Sequence, residues 1–390
     1  MGKKFIFGLA FLTLAFVSRL EAYPAFISYG YRACAMCHYN TQGGGALNDY
    51  GRSVFASEIA SRAFFSPSTT PESLSESSGF LGATEMPWWL HPGLKYRGLW
   101  MQSDPGGSNP RSRWINMQAD ASLALSLDEK SRWLIYGSIG YFPTPQAVQN
   151  SSGALEKTSQ WISREYYVRF QMQRSLTFML GLMDKVYGLR VVDHTAVHRS
   201  PLGLGQNDQT HGLQAHYVDE NYELTVHPFL GNLRQAADLR QKGVSVLYEK
   251  DLKEKHRVGA SALYSSNEYM QWTRMAGHSK FGFGEGNSLL TEVGIVQNKP
   301  KSGRSDTGGY LFLEGLGLIT RGYFMLSQIE YFNQTMSSSS PDQFRWSFGM
   351  LAFPMPRAEL RTQLVNSRVQ SEAGVVNDQW MLQGQIHLSL

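Results

Sequence analysis

Two cysteines are all the chain contains, and both stand in the run Cys34-Ala35-Met36-Cys37-His38. Two thiols two residues apart, followed at once by an imidazole, have the types and spacing to form two thioethers with one haem while the histidine ligates its iron. The run therefore predicts one covalently bound haem c, with Cys34 and Cys37 as the attachment points and His38 as the proximal ligand. Two other readings use the same residues. A redox dithiol between Cys34 and Cys37 would sit on a thioredoxin-like βαβ scaffold, which the sequence does not display. Zinc would need two further ligands, and the nearest paired histidines, His194 and His198, lie far downstream.

The elements that must carry this chemistry begin with an export signal. Lys3 and Lys4 precede an apolar run from Phe5 to Val17, and Ala22 offers a small residue at a cleavage point before Tyr23. The run is too short to span a bilayer, so residues 1–22 are expected to be a removed leader. Residues 23–65 then form a small head. Leu47, Tyr50, Val54, Phe55, Ile59 and Ala63 recur at near-helical spacing and predict one amphipathic helix to cover the haem. Gly43-Gly44-Gly45 reads as a loop passing close to the porphyrin, or equally as a flexible turn. Residues 66–92 form a linker and lead-in, and Ser66 to Ser78, rich in Ser, Thr and Pro, reads as a tether or exposed loop on which the head can move.

From residue 93 to residue 390 the apolar pattern has period two. Ile115, Met117, Ala119, Ala121, Leu123 and Leu125 make one oily face, and Asn116, Gln118, Asp120 and Ser122 the other. Segments of about ten alternating residues separated by turns predict an all-β, antiparallel transmembrane barrel. Sixteen candidate strands can be counted, with fourteen as the runner-up: 93–102, 113–127, 131–142, 160–172, 175–184, 210–218, 221–229, 242–250, 256–266, 268–284, 288–297, 308–318, 321–332, 343–353, 356–366 and 378–390. With the first strand rising from the periplasm, the lower turns are short, as at 128–130, 219–220 and 285–287, and the upper loops are mostly longer. Lys95, Arg97, Asp120, Glu165, Arg169, Arg345, Glu359 and Arg361 fall on the lumen side with both signs represented, so no selectivity is readable. The longest loop, 184–209, holds Arg190, Asp193, His194, His198 and Arg199 and could fold inward as a constriction or plug.

Residues 34–38 thus resemble the attachment site of c-type cytochromes, and residues 93–390 resemble a Gram-negative outer-membrane porin-type barrel. Met86-Pro87 resembles the Met-Pro pair that supplies the distal iron ligand in many soluble cytochromes c, so Met86 is the first candidate there, with His91 behind it and a vacant or solvent-ligated iron as the third choice. The last strand resembles that of outer-membrane proteins but ends in Leu390 rather than an aromatic residue. The resemblance implies a barrel in outer-membrane lipid with a periplasmic haem. It would act in electron transfer with periplasmic cytochromes or other redox proteins. The alternative is a porin or transporter channel passing small solutes, with the haem structural, sensing or gating. A formal charge of +4, from 36 basic against 32 acidic side chains, gives no basis for nucleic-acid binding. No nucleophile and base, phosphate loop or paired carboxylates stand out, so neither a hydrolase nor a transferase is expected.

Overall fold

The computed structural model describes residues 25–43, 45–82, 86–104, 110–141, 147–149, 155–157, 161–191, 193, 196–336, 342–371 and 374–389. The leader, Gly44 and His194 lie outside the described residues.

Period-two patterning yields a closed antiparallel barrel of sixteen strands. In chain order they are β1 (Leu90–Asp104), β2 (Arg111–Ser126), β3 (Trp133–Tyr141), β4 in two pieces (Trp161–Ile162 and Tyr166–Gln173), β5 (Leu176–Met183), β6 (Thr210–Val218), β7 (Tyr222–Gly231) and β8 (Lys242–Lys253). They continue as β9 (His256–Ser266), β10 (Met270–Phe283), β11 (Asn287–Pro300), β12 (Asp306–Thr320), β13 (Tyr323–Asn333), β14 (Asp342–Met355), β15 (Ala358–Ser371) and β16 (Gly374–Ser389). Each pairs with its sequence neighbours, and β1 pairs β16 from Lys95↔Ser389 to Asp104↔Trp380, so the sheet closes without an edge. Closure satisfies the ladder hydrogen bonds internally, which a lipid environment demands. The sixteen expected segments all become strands, and 210–218 and 256–266 match to the residue.

The two faces differ as alternation requires. Along β11, Glu292 is buried while its neighbour Val293 is 60% exposed, and along β13 Phe324 is buried while Met325 is exposed. The outward residues, among them Leu180, Leu213, Ile295, Phe348 and Leu364, form the apolar skin of a membrane barrel. Aromatic pairs mark both rims: Trp133 with Phe170 at the short-turn end, and Tyr141 with Trp161 and Trp346 with Trp380 at the long-loop end.

Two other parts of the chain fill the lumen. The head and its following segment close the short-turn end. Helix α1 (Asp49–Val54), capped by Asn48 and prolonged by a wider turn Phe55–Ile59, lays Phe55, Ile59 and Ala60 on Phe324, Leu351 and Phe353 of the wall. Tyr39 joins a second apolar cluster with Leu134, Tyr136 and Met179. The tether reading of 66–78 is corrected: helix α2 (Pro71–Glu76), capped by Thr70, buries Leu74 and packs on α1, because Pro at the first turn and an N-cap outweigh a polar composition. The long loop 184–209 does fold inward. Leu189 and Ala196 pack on Leu290 and Phe312, and Val197 donates its amide to Glu330 at 2.7 Å. His198 is buried with its ring 4.1 Å from that of Phe312. Of the pair His194 and His198 only His198 is described, and its Nε2 lies 3.3 Å from Leu189 O.

Wall cations grip the backbone of the head and of the segment that follows it. Lys95 donates to Gly45 O at 2.8 Å, Arg169 to Tyr39 O at 3.3 Å, Arg257 to Arg32 O at 2.8 Å and Arg357 to Ser77 O at 2.9 Å. Arg321 reaches the Ala60 and Ser57 carbonyls. Hydrogen bonds from charged donors contribute about 1.5–3 kcal/mol each. Arg321→Ala is therefore expected to speed proteolysis of the head about tenfold or more while the barrel stays intact, as read by limited digestion of the detergent-solubilised protein. Val293→Arg, at an exposed mid-strand position, should cost about 2–4 kcal/mol if that skin meets lipid, and unchanged barrel stability in bilayers would refute the assignment.

Candidate functional site

The cysteine run folds as a short 3₁₀ turn, Cys34–Met36, in which His38 N donates to Cys34 O at 3.0 Å. Asn48 fixes this turn to α1 with three bonds. Its amide nitrogen donates to Cys37 O at 2.9 Å, its side chain donates to Met36 O at 3.0 Å, and its side-chain oxygen accepts from Gly51 N at 2.8 Å. Gly51 is required for the approach, since a Cβ there would stand 2.3 Å from Cys37 O. Gly43, at φ +77°, presses on the same turn from the other side: an added Cβ would meet Cys34 Sγ at 3.3 Å and His38 Cδ2 at 3.9 Å. The glycine loop is thus a close-approach loop at Gly43, and what it approaches is the cysteine turn.

Cys34, Cys37 and His38 together line a cavity of about 350 Å³ between the head and the barrel wall. This lies within the range of small-molecule sites. Its lining includes the apolar Val54, Phe55, Ile59 and Phe353 and the cationic Lys95, Arg97, Arg164, Arg190 and Lys280. Carboxylates temper that charge: Arg164 pairs with Asp120, Arg190 with Asp184, and Lys280 with Glu249 at 2.5 Å. An apolar macrocycle bearing two carboxylates needs these two kinds of surface beside a pair of thiols and an imidazole. The residues present fit a haem c.

Other expectations divide. Lys95, Arg97, Asp120, Glu165 and Glu359 line the cavity as placed by alternation. Arg169 serves the head, Arg345 pairs with loop residue Asp193 at 3.1 Å, and Arg361 is buried in the wall. Met86, the first candidate for a distal ligand, sits half-buried before β1 and is not among the described residues that line the cavity. His91 also lies off the cavity, with its ring 5.5 Å from Tyr39 and its Nδ1 3.4 Å from Asp49. Sequence reading passed over Arg164, Lys280 and His387, all cavity-lining. The inward parity of β10 and β16 marked Lys280 and His387, but nothing in one chain says which inward residues share a depth.

Comparison with solved structures agrees with the wall. OmpT of Vibrio cholerae, expressed in the outer membrane, superposes with TM-score 0.58 at 8% identity, over 77% of this chain and 97% of that one. The barrel fold is that of outer-membrane porins. The outer-membrane channel DcaP of Acinetobacter baumannii matches at TM-score 0.54 and 10% identity, over 77% of this chain and 97% of that one. An anion-selective porin from Comamonas acidovorans matches at 0.52 and 9%, over 77% and 99%. No protein-family model and no curated protein matches the chain.

Beside this porin-type wall, the thiols are desolvated. Burial pushes Cys34 up from its ordinary value and Cys37 up to about 11. A reactive dithiol is favoured by the opposite shift, so this burial gives the redox-disulfide reading no help. Below about pH 11 the Cys37 thiol stays protonated. In haem-free protein its alkylation by iodoacetamide is expected to be slow at pH 7 and to rise about tenfold per pH unit until it levels near that pKa. A plateau near pH 8.5, the free-cysteine value, would show that the turn is not packed as described.

Proposed function

We propose that this chain is an outer-membrane barrel carrying one covalent haem c inside its lumen, attached to Cys34 and Cys37 with His38 as proximal ligand, and that it works in electron transfer at the outer membrane. The observation that carries the reading is that the three motif residues line one lumenal cavity whose lining also includes apolar and cationic residues. The haem supplies a one-electron couple. The chain's own residues would supply the rest: the Asn48 bonds and Gly51 hold the turn that carries the thiols, Phe55 and Phe353 would give apolar cover, and the cavity's cations would balance carboxylates on the bound group.

The head occupies the short-turn end of the barrel, the periplasmic end in this fold. Periplasmic cytochromes or other redox proteins are the proposed partners, and the role is that of a carrier rather than an enzyme. One haem does not by itself bridge an apolar band about 25 Å tall, so conduction across the whole membrane would need partner haems.

The second reading is a porin or transporter channel for small solutes, with the haem structural, sensing or gating. The porin-type fold favours it. The head and the inward loop both pack on the inner wall and narrow the lumen that solutes would use.

Haem staining of outer-membrane fractions after denaturing electrophoresis, followed by bilayer conductance, separates the two. A stained wild type, an unstained Cys34→Ala variant, a reversible redox couple and no steady conductance are expected. Conductance equal in wild type and Cys34→Ala supports the channel, and an unstained wild type ends the haem reading.

A further inference from the structure

A haem held by His38 would have a second axial position, and any side chain that serves it would have to line the same cavity. Met86, His91 and Met36 do not line it. Among the described residues, the histidines that do are His38 and His387. His387 belongs to β16, where it pairs with Glu359 of β15 and Arg97 of β1. Its side chain is nine-tenths buried, and Nδ1 lies 3.0 Å from Glu359 Oε2. Nε2 is buried and has no hydrogen-bond partner among the described residues.

This is the arrangement that metal-binding histidines use. A carboxylate accepts the hydrogen bond from Nδ1–H, fixes the tautomer and leaves the Nε2 lone pair available. The other amine donors on the cavity are already engaged: Lys95 on Gly45 O at 2.8 Å and Lys280 on Glu249 at 2.5 Å.

Resting on the haem reading above, we propose that His387 is the distal axial ligand, oriented by Glu359 as its positioning residue. The haem then joins the two parts of the molecule, by thioethers to the head and by coordination to the last strand of the wall. Bis-histidine ligation gives a lower reduction potential than a histidine and methionine pair would.

The test uses purified full-length protein with its haem, read by optical and EPR spectra of the ferric form and by redox titration. Wild type should be low-spin with a bis-histidine EPR signature. His387→Ala should keep the covalent haem, turn high-spin and recover a low-spin spectrum on adding imidazole, whereas His387→Met should raise the potential. Should His387→Ala fail to assemble, Glu359→Gln keeps the histidine and should raise the potential with the ligand signature unchanged. A His387→Ala protein with the wild-type spectrum and potential, or a Glu359→Gln protein with an unshifted potential, overturns the assignment and leaves the covalent haem standing. A wild type without covalent haem overturns both.

Discussion

A sheet of sixteen strands can close only around a lumen too wide for wall side chains to fill. Everything else in this molecule answers that width. The closed ladder satisfies the backbone against lipid, but the space it encloses must hold water or protein. Here it holds protein: the head at the short-turn end and the loop 184–209 further in. The wall is adapted to them, with Phe312, Phe324, Leu326 and Leu351 turned inward where an aqueous pore would show polar groups.

Charge follows the same logic. Cations enclosed in a lumen need partners, and several of this wall's cations find them on carbonyls of the head and of the segment that follows it. Arg257 also sits in a compact network: it meets Glu223 at 2.8 Å, Glu249 at 3.2 Å and Asp251 at 2.9 Å, and Asp251 also meets Arg32 of the head. Removing one member would strand the rest, so this network fixes the seat of the head more than it adds net stability.

The cavity is what remains between a convex plug and a concave wall. Its chemistry is therefore composite. The head brings thiols, an imidazole and an apolar helix face, and the wall brings cations, carboxylates and a second imidazole.

The sequence by itself determined the wall and the motif of the cysteine turn, because both are local. Alternation along ten residues states which side chains face lipid, and five consecutive residues, Cys34 to His38, carry the pattern on which the haem proposal rests. Composition was a poorer guide at 66–78, where a Thr cap and a Pro made a helix inside a Ser-rich stretch. Only the tertiary structure decided that the head is seated rather than tethered, that Met86 stays away from the cavity, and that His387 comes to it from about 350 residues downstream. Parity along a strand fixes which way a residue points, but its depth in the barrel, and what stands across the lumen from it, depend on the register of all sixteen strands and on what fills them.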